Sequence, residues 1–502
     1  MQGQKIAPPS RTEHSKSRPP LANATIFGVA LMTFWGMLTS PVPLLVLFCG
    51  LCLVTIILLL WTSNEPPILL LPAMFQWSEV AILPLSTSWL GVPLAELAQY
   101  GTDLNKSASY GLLGVLALSI GMKVGMGGQT SGSVSFSERI RQEAEKWPQA
   151  QVLFICGTII VAGYVLAAAS VVAGPLREPL NQASNIKYLG LFFLTYWCLY
   201  RQRAIGILLL VIVFEVIFGM TGFFAEFKNS ILTFFIAAVF ARPKVTPINI
   251  ISVGAAACLI LSIGIFWSSV KPDYRSFVNK GTGAQIVDVP IDQRVDFLAN
   301  AALSMDNDKI ADGFQRLITR HGYIEYLGLV MENIPRSMPH QNGSITASVF
   351  GHITVPRVLW KDKPVLMNDT EVMSKYSGLP MTWNSDTSIS IGYLGELYAD
   401  FGYYGGLIGA AVIGFAVGFV YRNISRSKQG SALMNAGLCL MIALPIAYFG
   451  TAYVKLVGSF VLTAAIVFLL QRILFPMLIR YPFLKAQPQG HQPRSPQKLR
   501  RI

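Results

Sequence analysis

The residues best suited to chemistry lie in a cationic stretch, Pro356-Arg357-Val358-Leu359-Trp360-Lys361-Asp362-Lys363-Pro364. The fork of Arg357 can grip a phosphate through two parallel hydrogen bonds, Lys361 and Lys363 add point charges, and Trp360 offers a flat apolar face. Together they suit a phosphorylated, partly apolar substrate, with Arg316 and Arg336 as reserve cations. Without one, the same side chains are solvated charges beside Asp362. Asp386 follows, and then Glu396 and Asp400, four residues apart in Gly395-Glu396-Leu397-Tyr398-Ala399-Asp400-Phe401-Gly402. That spacing puts both acids on one face of a helix whose continuation is apolar after Gly405. A carboxylate at such a depth is costly and must meet a cavity, a cation or a partner. Glu79 and Glu215, inside apolar runs, and Lys455, near the end of another, pose the same alternatives.

Other chemistries lose their basis in the sequence. No GxxxxGK[ST] or GxGxxG joins a strand to a helix, HExxH is absent, and His321, His340 and His352 have no metal-ligand spacing, so no cofactor or metal is expected. A formal charge of +13 could suggest nucleic acid, but the lysines and arginines sit in short loops between apolar runs and in the two tails, as the positive-inside rule requires. No nucleic-acid partner is expected. The six cysteines all lie in apolar runs, which favours plain packing over disulfides.

The elements that must position these residues are helices in a membrane. Only 13% of the 502 residues are charged and 53% are hydrophobic, against roughly a quarter charged in soluble domains. The apolar residues form runs of about 15–25, long enough to cross a hydrocarbon core about 30 Å thick. Twelve candidate spans fall near 24–39, 42–61, 66–85, 108–126, 151–174, 188–200, 204–224, 229–241, 248–268, 404–421, 432–450 and 453–473. The organisation expected is an all-α, polytopic membrane protein: a basic tail (1–23), nine spans (24–270), a large loop domain (271–403), three spans (404–473) and a second basic tail (474–502). A polar, proline-containing start argues for the first helix as insertion signal and against a cleaved leader. Loops with Arg139/Arg141/Lys146, Arg201/Arg203, Arg242/Lys244 and Arg422/Arg426/Lys428 fall on one side with both tails, which puts both termini in the cytoplasm and 271–403 outside it. Within that domain, Asp292–Thr319 reads as one amphipathic helix.

The run VPRVLWKDKP, followed by SDTSISIGYLGELYADFGYYGGLIGAAVIG entering a late span, resembles the signature region of bacterial O-antigen polymerases, the Wzy-like oligosaccharide repeat-unit polymerases. The resemblance covers about residues 355–420; elsewhere it rests on span count and hydropathy. It implies a metal-independent, membrane-embedded glycosyltransferase of the GT-C type that joins oligosaccharide units carried on undecaprenyl pyrophosphate at the outer face of the bacterial cytoplasmic membrane, with membrane lipid and a chain-length regulator as partners. On that reading Arg357, Lys361 and Lys363, with Arg316 and Arg336, stabilise the leaving pyrophosphate, and Asp386 or Glu396 takes the proton of the acceptor hydroxyl. His352 is a weaker base, and Trp360, Tyr398 and His352 count among the substrate-side candidates. An O-antigen ligase uses the same donor, and a lipid-linked oligosaccharide flippase or other transporter is the alternative of a different class; the long loop domain and the lack of internal symmetry count against a transporter.

Sidedness is directly testable. A cysteine placed at Ser276 or Ser344 is expected to react with a membrane-impermeant maleimide in intact spheroplasts; labelling only after permeabilisation would invert the topology and remove the outer-face chemistry with it.

Overall fold

The computed structural model describes residues 18–128, 134–222, 227–241, 246–283, 286–355, 367–380 and 389–474, and every α-helix below lies within them. The first half of the chain forms α1 (Pro20–Thr39), α2 (Pro43–Leu60), α3 (Leu70–Leu90), α4 (Leu104–Met126), α5 (Phe136–Lys146), α6 (Gln149–Val172), α7 (Arg177–Ser184), α8 (Ile186–Arg201), α9 (Ile205–Met220), α10 (Phe227–Ala241) and α11 (Pro247–Val278). Five helices follow between the two apolar blocks: α12 (Ile291–Leu303), α13 (Asn307–His321), α14 (Ile324–Asn333), α15 (Ser344–Thr354) and α16 (Asp369–Ser377). The chain then returns through α17 (Gly392–Ser425), α18 (Ala432–Ala443) and α19 (Tyr453–Leu469). Each of the twelve apolar runs falls on a helix. Seven helices are long and apolar enough to cross a membrane, and three shorter apolar ones accompany them, Ile205–Met220, Phe227–Ala241 and Ala432–Ile446. α8 is enclosed along Ile186–Cys198, whereas α1 and α9 turn Phe27, Trp35, Leu210 and Phe214 outward, the pattern of lipid-facing helices.

The most extensive helix pair is α4 with α17, and glycine makes it possible. A Cβ on Gly121 would overlap the Ala411 carbonyl oxygen, and one on Gly125 would meet that of Phe415. On the other side, a Cβ on Gly414 would strike the Leu118 carbonyl and one on Gly418 that of Met122. Both helices therefore carry small residues four apart, and their backbones touch. In lipid, where apolar side chains gain little by leaving the solvent, such close van der Waals packing drives helix association.

α17 is broken at Gly402, whose φ of 72° and ψ of −167° interrupt the helix near the boundary that hydropathy places at 403/404. The break frees carbonyls at the end of the first half, and the segment before α15 takes them up. His340 Nδ1 donates to Tyr398 O at 3.0 Å, Gln341 N to Ala399 O at 3.0 Å and Asn342 N to Asp400 O at 2.8 Å.

The long middle segment packs on the bundle itself. α13 lies against α11 and α3, and α14, buried over most of its length, is set against α4, α16 and α17. The helix expected over Asp292–Thr319 is two helices, because Asp306 caps a new N-terminus by accepting from Lys309 N at 2.8 Å. At the far end of α17 the cationic connections meet: Arg139 donates to the carbonyls of Ser425 and Ser427, Arg426 to those of Met126 and Gly128, and Arg201 to that of Glu145.

Replacing Gly414 by leucine forces α4 and α17 apart and should lower stability by at least about 1–3 kcal/mol, read as a lower Tm of the protein in detergent. Gly157→Leu, on a face of α6 with nothing within 4 Å, is the control and should leave Tm unchanged. Equal Tm values for the two variants would show that the backbone contact carries no stability.

Candidate functional site

Beyond the break, each buried acid of α17 is fixed by main-chain amides. Asp400, fully buried, accepts from Gly343 N and Thr346 N at 2.8 Å and from Ile345 N at 3.2 Å, so its carboxylate caps the N-terminus of α15. Glu396 Oε1 accepts from Tyr453 N at 2.8 Å, at the first residue of α19. Lys455, one turn into α19, pairs with Asp369 at the start of α16, whose N-terminus is itself closed by a capping box between Asn368 and Glu371. Glu396, Asp400, Asp369 and Lys455 thus share one neighbourhood.

Of the other sequence candidates, Tyr398, Arg336, His352 and Arg316 are described and the rest lie outside the described residues. Tyr398 is buried, with its hydroxyl on the Ile334 carbonyl at 3.4 Å and its ring against Tyr110 and His340. Arg336 is exposed in the turn after α14, and His352 is half-buried in the last turn of α15. Arg316 is exposed and tied to Asp312 one turn earlier, Nε to carboxylate 2.7 Å. Arg357, Trp360, Lys361 and Lys363 fall in 356–366 and Asp386 in 381–388, both outside the described residues; the first stretch joins α15 to α16.

A second group of charges was not singled out from the sequence as a site. Lys228 at the start of α10, Lys271 and Arg275 on α11 and Arg320 on α13 lie close enough for Lys271 to feel all three others. Packing explains the convergence: Phe227 sets its ring edge-on to Trp267 with centroids 5.7 Å apart, and Gly313 of α13 rests on α11 at the Ile265 carbonyl, 2.6 Å from where its Cβ would be. Lys228 and Arg320 are exposed and Lys271 and Arg275 half-buried, so the four form a partly open cationic cluster, the cleft. Glu79 is the acid that acts on Lys228; it is buried in α3, and its carboxylate accepts from Phe449 N. His321 lies beside Lys228. Its Nε2 shares a hydrogen bond of 2.8 Å with Ser78, and burial, with Lys228 adding to it, holds its pKa down at about 4, so the ring is neutral at physiological pH. The sequence did carry a trace of this group. Lys271/Arg275 and Arg316/Arg320 are like charges at i,i+4, an arrangement that destabilises a helix unless something answers it.

Beside the cleft lies a cavity of about 530 Å³ between α6, α7, α8, α9, α10, α12 and α19 and the turn after α18. Tyr448 forms part of its wall, and on the other side Phe75 stands between Tyr448 and His321, ring centroids 5.1 and 5.3 Å away. Cleft and cavity are therefore neighbours across one aromatic layer. Comparison of the chain with known protein families, with curated proteins and with solved structures returned no match. The functional reading rests on the residues and their geometry.

The two acids of α17 can be separated by mutation. Glu396→Gln keeps an oxygen for the Tyr453 amide and should fold at wild-type abundance, whereas Asp400→Asn turns an amine toward helix amides and should cost about 1–3 kcal/mol. If Glu396 takes a proton in the reaction, its glutamine variant will be abundant and inactive; an active Glu396→Gln protein would leave this carboxylate a cap and nothing more.

Proposed function

We propose that this chain is a membrane glycosyltransferase that polymerises oligosaccharide repeat units carried on a lipid pyrophosphate, working at the outer face of a bacterial cytoplasmic membrane. The observation that carries the reading is the cationic cleft of Lys228, Lys271, Arg275 and Arg320, set beside a polar cavity at one end of an apolar bundle. Cations brought together from three helices repel one another, and an anion bound between them turns that repulsion into affinity. A lipid pyrophosphate is such an anion and has a reason to be there. In the transfer, the bond between the sugar C1 and the pyrophosphate oxygen breaks with its electron pair going to the oxygen, while the acceptor hydroxyl oxygen bonds to C1 and its proton passes to a carboxylate. Charge grows on the leaving oxygen, and preorganised cations lower that barrier without a metal. Glu396 and Asp386 are the proposed bases, and Glu79, at the cleft itself, joins them. Arg357, Lys361 and Lys363 are proposed as further phosphate ligands.

Topology supports the same reading. The arginines on helix-end carbonyls gather at the end of the bundle opposite the cleft, and the positive-inside rule makes that end cytoplasmic. Twelve crossings, by α1–α4, α6, α8–α11 and α17–α19, then bring both termini to the cytoplasm and leave α12–α16 with the cleft outside.

A strain lacking the gene should lose high-molecular-weight polysaccharide and still make single lipid-linked repeat units. When the deletion is complemented, Lys271→Gln and Arg320→Gln should each reduce polymer about 10–100-fold at normal protein levels, while Arg316→Gln, already paired to Asp312, should reduce it little. Full-length polymer from well-expressed Lys271→Gln and Arg320→Gln proteins would remove the cleft from the chemistry.

A further inference from the structure

The cavity beside the cleft has a lining that its surroundings do not explain. In an apolar bundle its walls carry Asn181, Gln182 and Asn185 from α7 and its end, Asn229 from α10, the tyrosines Tyr164, Tyr188 and Tyr448, and the cations Lys187 and Arg294. An acyl chain would leave the amide groups that the fold does not itself engage without partners, at a cost of about 1–3 kcal/mol for each unmet hydrogen bond. A phosphate would need more positive charge than the cavity offers. Lys187 stands 3.9 Å from the buried Glu215, which also accepts from Tyr164 at 2.6 Å and Ser230 at 2.9 Å, and the lysine ammonium lies over the rings of Tyr164 and Tyr188. That pair is neutral as a unit. Arg294 is held by the Thr221 carbonyl at 2.6 Å.

The hydrogen-bonding capacity left over is that of amides and of the buried Nε–H of Arg294, which has no partner among the described residues. Gln182 is spent on the fold, donating to Glu178 and Ser459 and accepting from Asn185. Asn229 uses its carbonyl oxygen for the Tyr448 hydroxyl at 2.7 Å, so its amine remains to donate. Asn185 gives its amine to Gln182 and keeps its carbonyl oxygen. Asn181 makes no side-chain hydrogen bond to the described residues. Paired amide donors and acceptors beside tyrosine rings answer the alternating hydroxyls and apolar faces of a sugar ring, and about 530 Å³ falls within the roughly 300–1,000 Å³ of small-molecule sites.

We infer that this cavity is a glycan subsite, taking one or more uncharged sugar rings through Asn181, Asn185 and Asn229. The inference rests on the proposed function for the identity of the whole substrate, and it adds which part of that substrate goes where. Lys228 and Asn229 are consecutive at the start of α10; the first faces the cleft, the second lines the cavity. A single substrate can so place its phosphates on one side of the Phe75–Tyr448 layer and its sugars on the other.

The test uses the full chain in lipid nanodiscs and two kinds of probe, neutral methyl glycosides (glucoside, galactoside and N-acetylglucosaminide) and inorganic pyrophosphate, with binding read by saturation-transfer NMR and calorimetry. At least one glycoside should bind in the millimolar range. Ala167→Trp, which fills the cavity from α6, should weaken that binding tenfold or more and leave pyrophosphate binding unchanged; the milder Asn181→Ala should weaken it several-fold with the wild-type Tm. Absence of glycoside binding to the wild type, or binding that neither variant alters, overturns the subsite, as does pyrophosphate displacing the glycoside. The two readings fail separately. Glycoside binding sensitive to Ala167→Trp, in a protein whose deletion leaves polymer intact, keeps the subsite and removes the polymerase; polymer lost on deletion with no glycoside bound does the reverse.

Discussion

The contact on which the rest of this molecule depends is the one between the backbones of α4 and α17. Four glycines, Gly121, Gly125, Gly414 and Gly418, let the two helices meet without side chains between them, so neither can rotate or slide without a clash. With the second half of α17 held in this way, the turn at Gly402 sets the direction of the first half. That half carries Glu396 and Asp400, and its freed carbonyls hold residues 340–342, from which α15 starts. A chain of geometric consequences thus runs from a glycine face inside the bundle to the neighbourhood of Glu396. No flexible loop intervenes between them.

Carboxylates repeatedly accept from main-chain amides in this fold, several of them at helix N-termini. Asp400 closes α15, Glu396 meets the first amide of α19, Glu79 meets Phe449 N, and at the other end of the bundle Glu143 accepts from Ala432 N at 2.8 Å and Leu433 N at 3.2 Å to close α18. In a medium without water an unpartnered carboxylate is far more costly than its hydrogen bonds are worth, and helix N-termini supply both amides and partial positive charge. Depth in an apolar span is therefore weak evidence of catalysis for an acid. Glu396 is distinguished from Asp400 by how few amides it meets, one against three.

The elements were legible because periodicity and hydropathy are local. Each apolar run found its helix, and the break at Gly402 fell where the polar stretch becomes apolar. What depended on distant partners was not legible. Asp400 and Glu396 look alike in sequence, and only the approach of residues 343–346 and of Tyr453, some fifty residues away in either direction, gives them different surroundings. Asp306 reads as one more polar residue of an amphipathic run until its side chain is seen to accept from Lys309 N and start a helix. Lys228, Lys271, Arg275 and Arg320 belong to three helices; hydropathy counts the first three as flanks of spans and Arg320 as one more charge of the loop domain. The residues on which the sequence reading placed most weight, Arg357, Lys361, Lys363 and Asp386, lie outside the described residues.

The cations of this protein divide by what answers them. Arg139, Arg201 and Arg426 donate to main-chain carbonyls, Arg139 and Arg426 among them at helix ends where the dipole is negative, and each is satisfied by the fold alone. The cleft cations face a different balance. Lys271 stands among Lys228, Arg275 and Arg320, and like charges repel more strongly the less water surrounds them. Glu79 offsets part of this at Lys228, yet its own carboxylate is engaged by Phe449 N. Asp312 and Tyr326 act on Arg320 in the same sense. On the proposed function an anion bound among these cations adds to what Glu79 and Asp312 supply, so these cations, more than the deep acids, are the group whose substitution tests that function.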